Sequence, residues 1–134
     1  MIPTVNTILS TNLVVKTQPS KNYQLHIENN VIGGVCDGIE AMKQVIFKII
    51  NTERYENIIY SWNYGIELSD LFGEPVEYVC PEIERRITES LLQDDRIKSV
   101  DNFEFDTTKK RTVAVTFTVH TVFGDVKTEK AVEY

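Results

Sequence analysis

The segment 112-TVAVTFTVHTV-122 alternates larger apolar side chains with small or polar ones along its whole length. The apolar side chains of one face are Val113, Val115, Phe117 and Val119. The other face consists mainly of threonines and ends at His120. Because successive side chains of a strand point to opposite faces, this period of two predicts a β-strand with one buried face.

Strand patterns also flank this segment on both sides. Upstream, Phe103 and Phe105 alternate with acidic residues, and the polar stretch 106-DTTKKR-111 predicts a turn. Downstream, the four residues 123-FGDV-126 predict a hairpin turn, and 126-VKTEKAVEY-134 predicts the return strand. The last third of the chain is therefore expected to consist of antiparallel strands.

The N-terminal part of the chain predicts an extended start followed by a pair of strands. Residues 1–21 are rich in Thr, Asn, Ser and Pro, so we expect an extended lead-in before a single domain over residues 22–134. Within 23-YQLHIE-28 apolar and polar residues alternate, which predicts a half-buried strand. The pair 29-NN-30 predicts a tight turn, and 31-VIGGV-35 predicts a second extended piece.

The middle of the chain opens with the clearest helix pattern. Asp37 is suited to cap a helix over 38-GIEAMKQVIFKIINT-52. The apolar stripe of this helix consists of Ile39, Met42, Val45, Ile46, Ile49 and Ile50. The apolar run 58-IIYSWNYG-65 then predicts a short strand that ends at the glycine.

A second long helix is predicted to begin near Pro75 or Val79 and to end at about Gln93. Its apolar stripe, at every fourth position, consists of Val79, Ile83, Ile87 and Leu91. Pro81 is acceptable only in the first turn of a helix, so the regular part is expected from Cys80 onward. Before this helix, 69-SDLFG-73 predicts a single helical turn closed by glycine.

The order of these elements sets the expected fold class. Two strands, a helix, a strand, a second helix and three strands follow one another along the chain, which predicts an α+β domain. We expect a mainly antiparallel sheet with the two longer helices packed on one face. A chain of 134 residues fits one such domain.

The composition argues against several classes of partner. A net charge of −6 and an isoelectric point near 4.9 argue against a nucleic-acid-binding module, which usually has a basic surface. The sequence contains no stretch of the roughly 20 apolar residues needed to cross a bilayer, so no membrane partner is expected. The start of the chain does not resemble a signal peptide, so Cys36 and Cys80 are expected to be reduced.

The stretch 91-LLQDDRIKSV-100 is the best place to look for chemistry. Asp94 and Asp95 are neighbours, so their side chains diverge and no catalytic pair is predicted. No metal or cofactor site is predicted either, because the candidate ligands lack ligand-type spacing; they are His26, His120, Cys36 and Cys80. Two interpretations of this helix end remain. It is either a solvated end with a local ion pair, or a turn from which Arg96 projects toward a partner's carboxylate or carbonyl groups.

The two strings 38-GIEAMKQVIFKIINTERYENIIYSWNYGIELSDLFGEP-75 and 82-EIERRITESLLQDDRIKSVDNFEF-105 resemble the baseplate wedge, or sheath-initiator, family of contractile phage tails. The matching positions are Asp37-Gly38, Thr52-Glu53-Arg54, Tyr64-Gly65 with Ile66 and Leu68, and Asp94-Asp95-Arg96. The last of these corresponds to the family's Glu-Pro-Arg-type tripeptide: aspartates replace glutamate and proline, and the arginine is retained. The resemblance covers roughly residues 30 to 134 and is strongest to the branch in phage-like elements and contractile bacteriocins of Gram-positive bacteria.

The resemblance implies a structural protein without enzymatic activity. Such a protein docks on the wedge core of the baseplate, here through Asp94, Asp95 and Arg96, and initiates sheath polymerisation by β-strand addition. The implied partners are other baseplate wedge proteins and tail sheath subunits, with tail tube or hub proteins as a further option. The implied place is the baseplate of a phage tail or tail-like particle, assembled in the host bacterial cytoplasm. The family is labelled lysozyme-like in places, but no catalytic residue is carried over.

The sheath-like C-terminal strands are where strand addition is expected, because a sheet edge exposes unpaired backbone groups. The residues assigned to this edge are Val113, Val115, Phe117, Val119, Val126, Thr128 and Val132. Lys127, Glu129 and Lys130 are expected to protect the edge in the free protein. The alternative functions are a cell-wall (murein) hydrolase of a tail and a small regulatory adaptor with the same fold.

Overall fold

The computed structural model of the protein describes Val14, Lys16 and residues 19–134. The extended lead-in predicted for residues 1–21 therefore lies largely outside the described residues. The longer elements are β1 (Asn22–His26), β2 (Val31–Cys36), α1 (Gly38–Ile50), α2 (Val76–Leu91), β3 (Ile97–Asp106), β4 (Thr112–Thr121) and β5 (Gly124–Glu133). The two helices and antiparallel strands confirm the α+β class. None of the helices in the described residues is long and apolar enough to span a membrane.

The C-terminal sheet forms one wall of the core. Its strand order is β3-β4-β5, and both pairs of neighbours are antiparallel. The alternation that predicted β4 is confirmed: the four apolar side chains of one face are fully buried, namely Val113, Val115, Phe117 and Val119. Burying an apolar side chain of this size contributes about 1.5–3 kcal/mol, so this face is a main source of stability.

Helix α1 packs its predicted stripe into the same core. Met42, Ile46, Ile49 and Ile50 are buried, and the other two stripe residues pack against them half-buried. The predicted cap is also present, since Asp37 Oδ1 accepts a hydrogen bond of 2.7 Å from the backbone N–H of residue 38. The sequence thus determines both the start and the buried face of this helix.

Helix α2 buries its predicted stripe but begins earlier than the proline suggested. The helix starts at Val76, and the N–H groups of Tyr78 and Val79 both donate to the Pro75 carbonyl at 3.0 Å. The prediction that Pro81 lies in the first turn is therefore wrong. Pro81 lies on the exposed side of the second turn. There it removes the hydrogen bond to the Glu77 carbonyl, and its ring crowds that carbonyl.

The strand predicted at residues 58–65 is also wrong. These residues form turns within a loop that leaves the core after Arg54 and returns at Ile66. The Arg54 N–H donates to the Ile66 carbonyl at 3.0 Å, and the Ile66 N–H donates to the Thr52 carbonyl at 2.9 Å. We call residues 55–64 the apolar loop, because all of its apolar side chains except Tyr64, which packs against the core, are exposed.

Strands β1 and β2 form a separate two-stranded sheet instead of joining the main one. Gln44 of α1 holds this sheet: its Nε2 donates to the Tyr23 carbonyl at 2.7 Å, and its Oε1 accepts from the Leu25 N–H at 2.9 Å. The predicted strands are present, but Tyr23 is 71% exposed and Ile27 is 54% exposed. The alternation in this segment therefore does not mark a side buried in the core.

Candidate functional site

Helix α2 is followed by a tight turn at Asp94, Asp95 and Arg96. The Ile97 N–H donates to the Asp94 carbonyl at 3.1 Å, which closes a four-residue turn with Asp95 and Arg96 at its centre. Neither central residue has a positive φ angle, as a type I turn requires. Type I turns favour Asp at the first position and Pro at the second, and most residues are compatible with the second. Asp95 in place of the family's proline is therefore compatible with the turn.

Arg96 does not project from this turn, so the interpretation in which its side chain points outward toward a partner is wrong. Its Nε donates to Asp94 Oδ1 at 2.9 Å, and its Nη2 donates to Asp94 Oδ2 at 2.7 Å. The Arg96 side chain is 9% exposed and that of Asp94 is 14% exposed. Burial raises the pKa of Asp94. The hydrogen bonds from the Arg96 side chain and backbone N–H and the positive charge of Arg96 act in the opposite direction, and together they lower this pKa below its ordinary value. The local ion pair is therefore a buried one.

The guanidinium of Arg96 retains hydrogen-bonding capacity after this pairing. Its Nη1 donates to the Pro19 carbonyl at 3.4 Å, so three of the five N–H donors have partners within the described residues. Arg96 lines a cleft between α1, the end of α2 and the apolar loop, together with Lys48, Ser61, Asn63 and Gln93. The other two N–H groups have no partner among the described residues.

The base of the apolar loop is fixed by Arg54, whose side chain is 11% exposed. Its Nε and Nη2 donate to the Gly65 carbonyl at 3.2 and 3.1 Å, and its Nη2 lies 3.0 Å from Glu89 Oε2. Gly65 has a φ of +87°, and a Cβ there would lie 2.5 Å from the Thr52 carbonyl oxygen. Arg54 and Gly65, two positions that carry the family resemblance, thus close the loop on α2.

Glu53, directly before Arg54, holds the chain that follows the loop. Its Oε1 accepts hydrogen bonds of 3.0 Å from the backbone N–H groups of Leu68 and Ser69. These contacts give the Thr-Glu-Arg and Tyr-Gly elements a common structural role. They join the end of α1 to the segment before α2.

The sheet edge differs from the one expected. Strand β4 pairs along both sides, so its apolar residues cannot form an edge, and that part of the expectation is wrong. The β5 members of the predicted set, Val126, Thr128 and Val132, lie on the edge strand with side chains toward the helices. Lys130 also points inward, and its Nζ donates to Asn51 Oδ1 at 2.8 Å. Burial lowers the pKa of this lysine, against the nearby charge of Glu53.

The two edges of this sheet are unequal. The pairing of β3 with β4 shifts register between Ile97 and Ser99 and again between Asp101 and Glu104. The pairing of β5 with β4 is regular from Gly124 to Glu133. Bulges are a common way to block strand pairing at an edge. Among the described residues, only the β5 edge of this sheet therefore presents an uninterrupted set of backbone donors and acceptors.

His120 links all three strands on the open face of the sheet. Its Nε2 lies 2.8 Å from Asp101 Oδ1 on β3, and its Nδ1 lies 2.7 Å from Asp125 Oδ1 on β5. The hydrogen bond with Asp125, followed by that with Asp101, raises the pKa of His120. Sequence reasoning placed this histidine on the polar face but missed its partners, because they depend on strand register.

The remaining candidate ligands stay apart. Cys36 is buried and Cys80 is half-buried, and both are free thiols, as expected. Burial, followed by the charge of Glu77, raises the pKa of Cys80, which disfavours the reactive thiolate. The part of the chain described by the structure contains no group of three side chains placed to hold a metal ion.

Comparison with known proteins decides the family. The profile of the contractile injection system sheath initiator family matches residues 18–124. The chain belongs to the sheath-initiator family. It is also 34% identical over 119 residues to the phage-like element PBSX protein XkdS of Bacillus subtilis strain 168, an alignment that covers 86% of this chain and 84% of that protein.

Membership in the sheath-initiator family confirms the resemblance drawn from the helix ends and the tripeptide position. It makes the chain a structural component of a contractile tail. The matched region contains both helices, the apolar loop, the Asp94–Arg96 turn and the strands β3 and β4. The features described above are therefore elements of a sheath initiator, and their geometry can be interpreted in terms of assembly.

Proposed function

We propose that this sheath initiator lies in the baseplate of a phage-like contractile tail and connects it to the sheath. In this proposal, the turn at Asp94–Arg96 docks on the wedge core, and the edge of β5 accepts a strand from a sheath subunit. Assembly takes place in the bacterial cytoplasm before the particle is released. The membership in the sheath-initiator family and the similarity to a protein of a phage-like element support the structural role.

The regular edge of β5 is the observation that carries the proposal. Because Thr121 pairs with Gly124 across a two-residue turn, alternate residues of β5 point their backbone groups away from β4. The outward positions are Asp125, Lys127, Glu129, Ala131 and Glu133, and all five are exposed. Strand addition uses such main-chain groups for affinity, and each hydrogen bond contributes about 0.5–1.5 kcal/mol net.

The docking part rests on the remaining donors of Arg96. A carboxylate or carbonyl oxygen of the wedge core that enters the cleft would complete the hydrogen bonds of a guanidinium already fixed by Asp94. Prior fixation lowers the entropy lost on binding, since the side chain has only one orientation to adopt. The pair with Asp94 therefore positions Arg96 for its partner.

Proline at Glu129 tests strand addition. The N–H of this residue points away from β4, so Glu129→Pro removes an outward donor and leaves the ladder with β4 intact. The matched control, Glu129→Ala, removes the charge and keeps the N–H. In cells whose own copy of the gene is deleted, we expect the proline variant to enter baseplates without sheath growth and the alanine variant to support complete tails. Electron microscopy of purified particles measures both, and complete sheaths with Glu129→Pro would refute strand addition at β5.

Arg96→Lys tests docking in the same cells. Lysine keeps a positive charge beside Asp94 but lacks the planar fork and its spare donors. We expect this variant to fold and to be missing from purified tails, as measured by immunoblot. Normal incorporation of Arg96→Lys would show that the cleft does not bind the wedge core.

A further inference from the structure

The most exposed large apolar side chains of the described residues lie together at the tip of the apolar loop. Ile58 is 100% exposed, Trp62 is 85% exposed and Ile59 is 82% exposed. The next most exposed large apolar residue is Tyr23, at 71%. We call Ile58, Ile59 and Trp62 the apolar tip.

The loop holds this tip outward on a fixed base. Beyond the Arg54 contacts, the rings of Tyr60 and Tyr64 stack with centroids 4.5 Å apart, and Tyr55 contacts Trp62 edge-on at 6.3 Å. Tyr55 also adopts a φ of +70°, which is rare for a bulky residue and persists where the surroundings impose it. The aromatic contacts thus organise the loop while its tip stays in water.

We propose that the apolar tip inserts into an apolar groove of a baseplate protein and forms one docking surface with the Arg96 cleft. The two are continuous along the chain. Ser61 lies between the tip residues, Asn63 and Tyr64 follow Trp62, and all three line the cleft. The partner would present an apolar groove beside a carboxylate or carbonyl acceptor. The inference rests on the proposed function for the identity of the partner as a baseplate protein.

The composition of the loop argues against a lipid surface as the occupant. Residues 55–64 contain one charged residue, Glu56, and no lysine or arginine. Segments that lie at membrane interfaces usually combine their apolar face with basic residues that attract anionic lipids. A neutral groove on a protein fits this loop better.

The exposed area argues against a second copy of this chain. With roughly 200 Å² for one large exposed side chain, the tip offers on the order of 600 Å². A stable interface needs about 800 Å² on each partner, so two tips facing each other are too small. Joined to the Arg96 cleft, the tip becomes part of a larger surface that suits a partner of different shape.

The test is incorporation of tip variants into tails. Ile58→Ser and Ile59→Ser remove apolar side chains that are 100% and 82% exposed, so circular dichroism and thermal unfolding should remain unchanged. The matched control is Phe72→Ser, because Phe72 is 68% exposed and lies outside the loop. In the gene-deleted cells, we expect each tip variant to fall at least about tenfold in purified tails and Phe72→Ser to stay at the wild-type level. Wild-type incorporation of the tip variants, or an equal loss with Phe72→Ser, would overturn the proposal.

Two further measurements on the purified protein separate the other occupants. Trp62 is the only tryptophan of the chain, so its emission reports the tip directly. We expect no blue shift with vesicles of phosphatidylcholine alone or mixed with phosphatidylglycerol, and a monomer in sedimentation at all concentrations tested. A blue shift with vesicles would favour a lipid, and a dimer abolished by Trp62→Ser would favour a second copy. Either result overturns the proposal.

The outcomes also distinguish this inference from the proposed function. Absence of the wild-type chain from purified tails would refute the baseplate role itself. Loss of Arg96→Lys with normal incorporation of the tip variants would leave the docking turn in place and refute only the role of the tip.

Discussion

Replacing Arg96 by alanine should destabilise the protein as well as affect docking. The change removes the two side-chain hydrogen bonds to Asp94, at 2.9 and 2.7 Å, and leaves that carboxylate 14% exposed without its charge partner. Breaking a fully buried pair in this way costs about 3–5 kcal/mol. Asp94 keeps a backbone hydrogen bond of 3.0 Å and has some contact with water. We therefore expect a loss of about 2–4 kcal/mol in the free energy of unfolding.

Urea unfolding followed by far-ultraviolet circular dichroism measures this loss. Tryptophan emission is a poor probe here, because Trp62 is already 85% exposed in the folded state. For a chain of this length the expected loss lowers Tm by roughly 10 °C. Lys43→Ala is the control, since Lys43 pairs with Glu40 in an exposed ion pair and should cost at most about 0.5 kcal/mol. A loss for Arg96→Ala as small as that of the control would refute the buried-pair interpretation.

The same pair predicts how the difference between wild type and variant depends on pH. The pKa of Asp94 is lowered in the folded state, so its contribution is present above the unfolded pKa of about 3.9 and is lost as the pH falls through the folded value. The stability gap between wild type and Arg96→Ala should therefore narrow in acid. A gap that stays constant down to about pH 2 would mean that the Asp94 charge does not contribute.

Two shorter predictions concern the turn and the open face of the sheet. Asp95→Pro should raise the free energy of unfolding by about 0.4–1 kcal/mol, because proline suits the second position of a type I turn and restricts the unfolded chain. A lower free energy of unfolding in urea would contradict the assigned turn. The pKa of His120 is raised in the folded state, so its stabilising effect is present below about pH 6.5 and lost as the pH rises through the folded value. The wild-type protein should therefore lose free energy of unfolding between about pH 6 and pH 9, and His120→Gln should lose less over the same range. An equal loss in both proteins would show that the two aspartates do not stabilise the imidazolium.

Periodicity predicted the buried faces but not the strand order. The stripe of α1 and the alternation of β4 determine burial because a side chain's direction follows directly from its position along the element. The position of β4 at the centre was not read from this pattern. A signal exists in the charges: β4 carries none of Asp, Glu, Lys or Arg, whereas β3 and β5 carry several. Charged side chains are common on edge strands, so the uncharged strand was the candidate for the centre.

The apolar loop could not be placed from sequence for a different reason. A short apolar run such as 58-IIYSWNYG-65 has the same composition whether it fills a core or is exposed at a surface. What decides its position is the base of the loop. There Arg54 and Gly65 are held by contacts with residues distant in sequence, including Glu89 on α2.

The turn at Asp94–Arg96 shows how one aspartate side chain can hold a turn that lacks a proline. A proline at the second position of such a turn would fix φ there. Here Asp94 does the equivalent with its side chain, since one Oδ1 accepts from both the N–H and the Nε of Arg96. An aspartate reaches the N–H two residues on, as Asx turns do, and this holds the turn even with Asp95 at its centre. The orientation of Arg96 is thus set by Asp94. The proposed docking therefore predicts that a variant without Asp94 is missing from purified tails, as measured by immunoblot, even though the arginine remains.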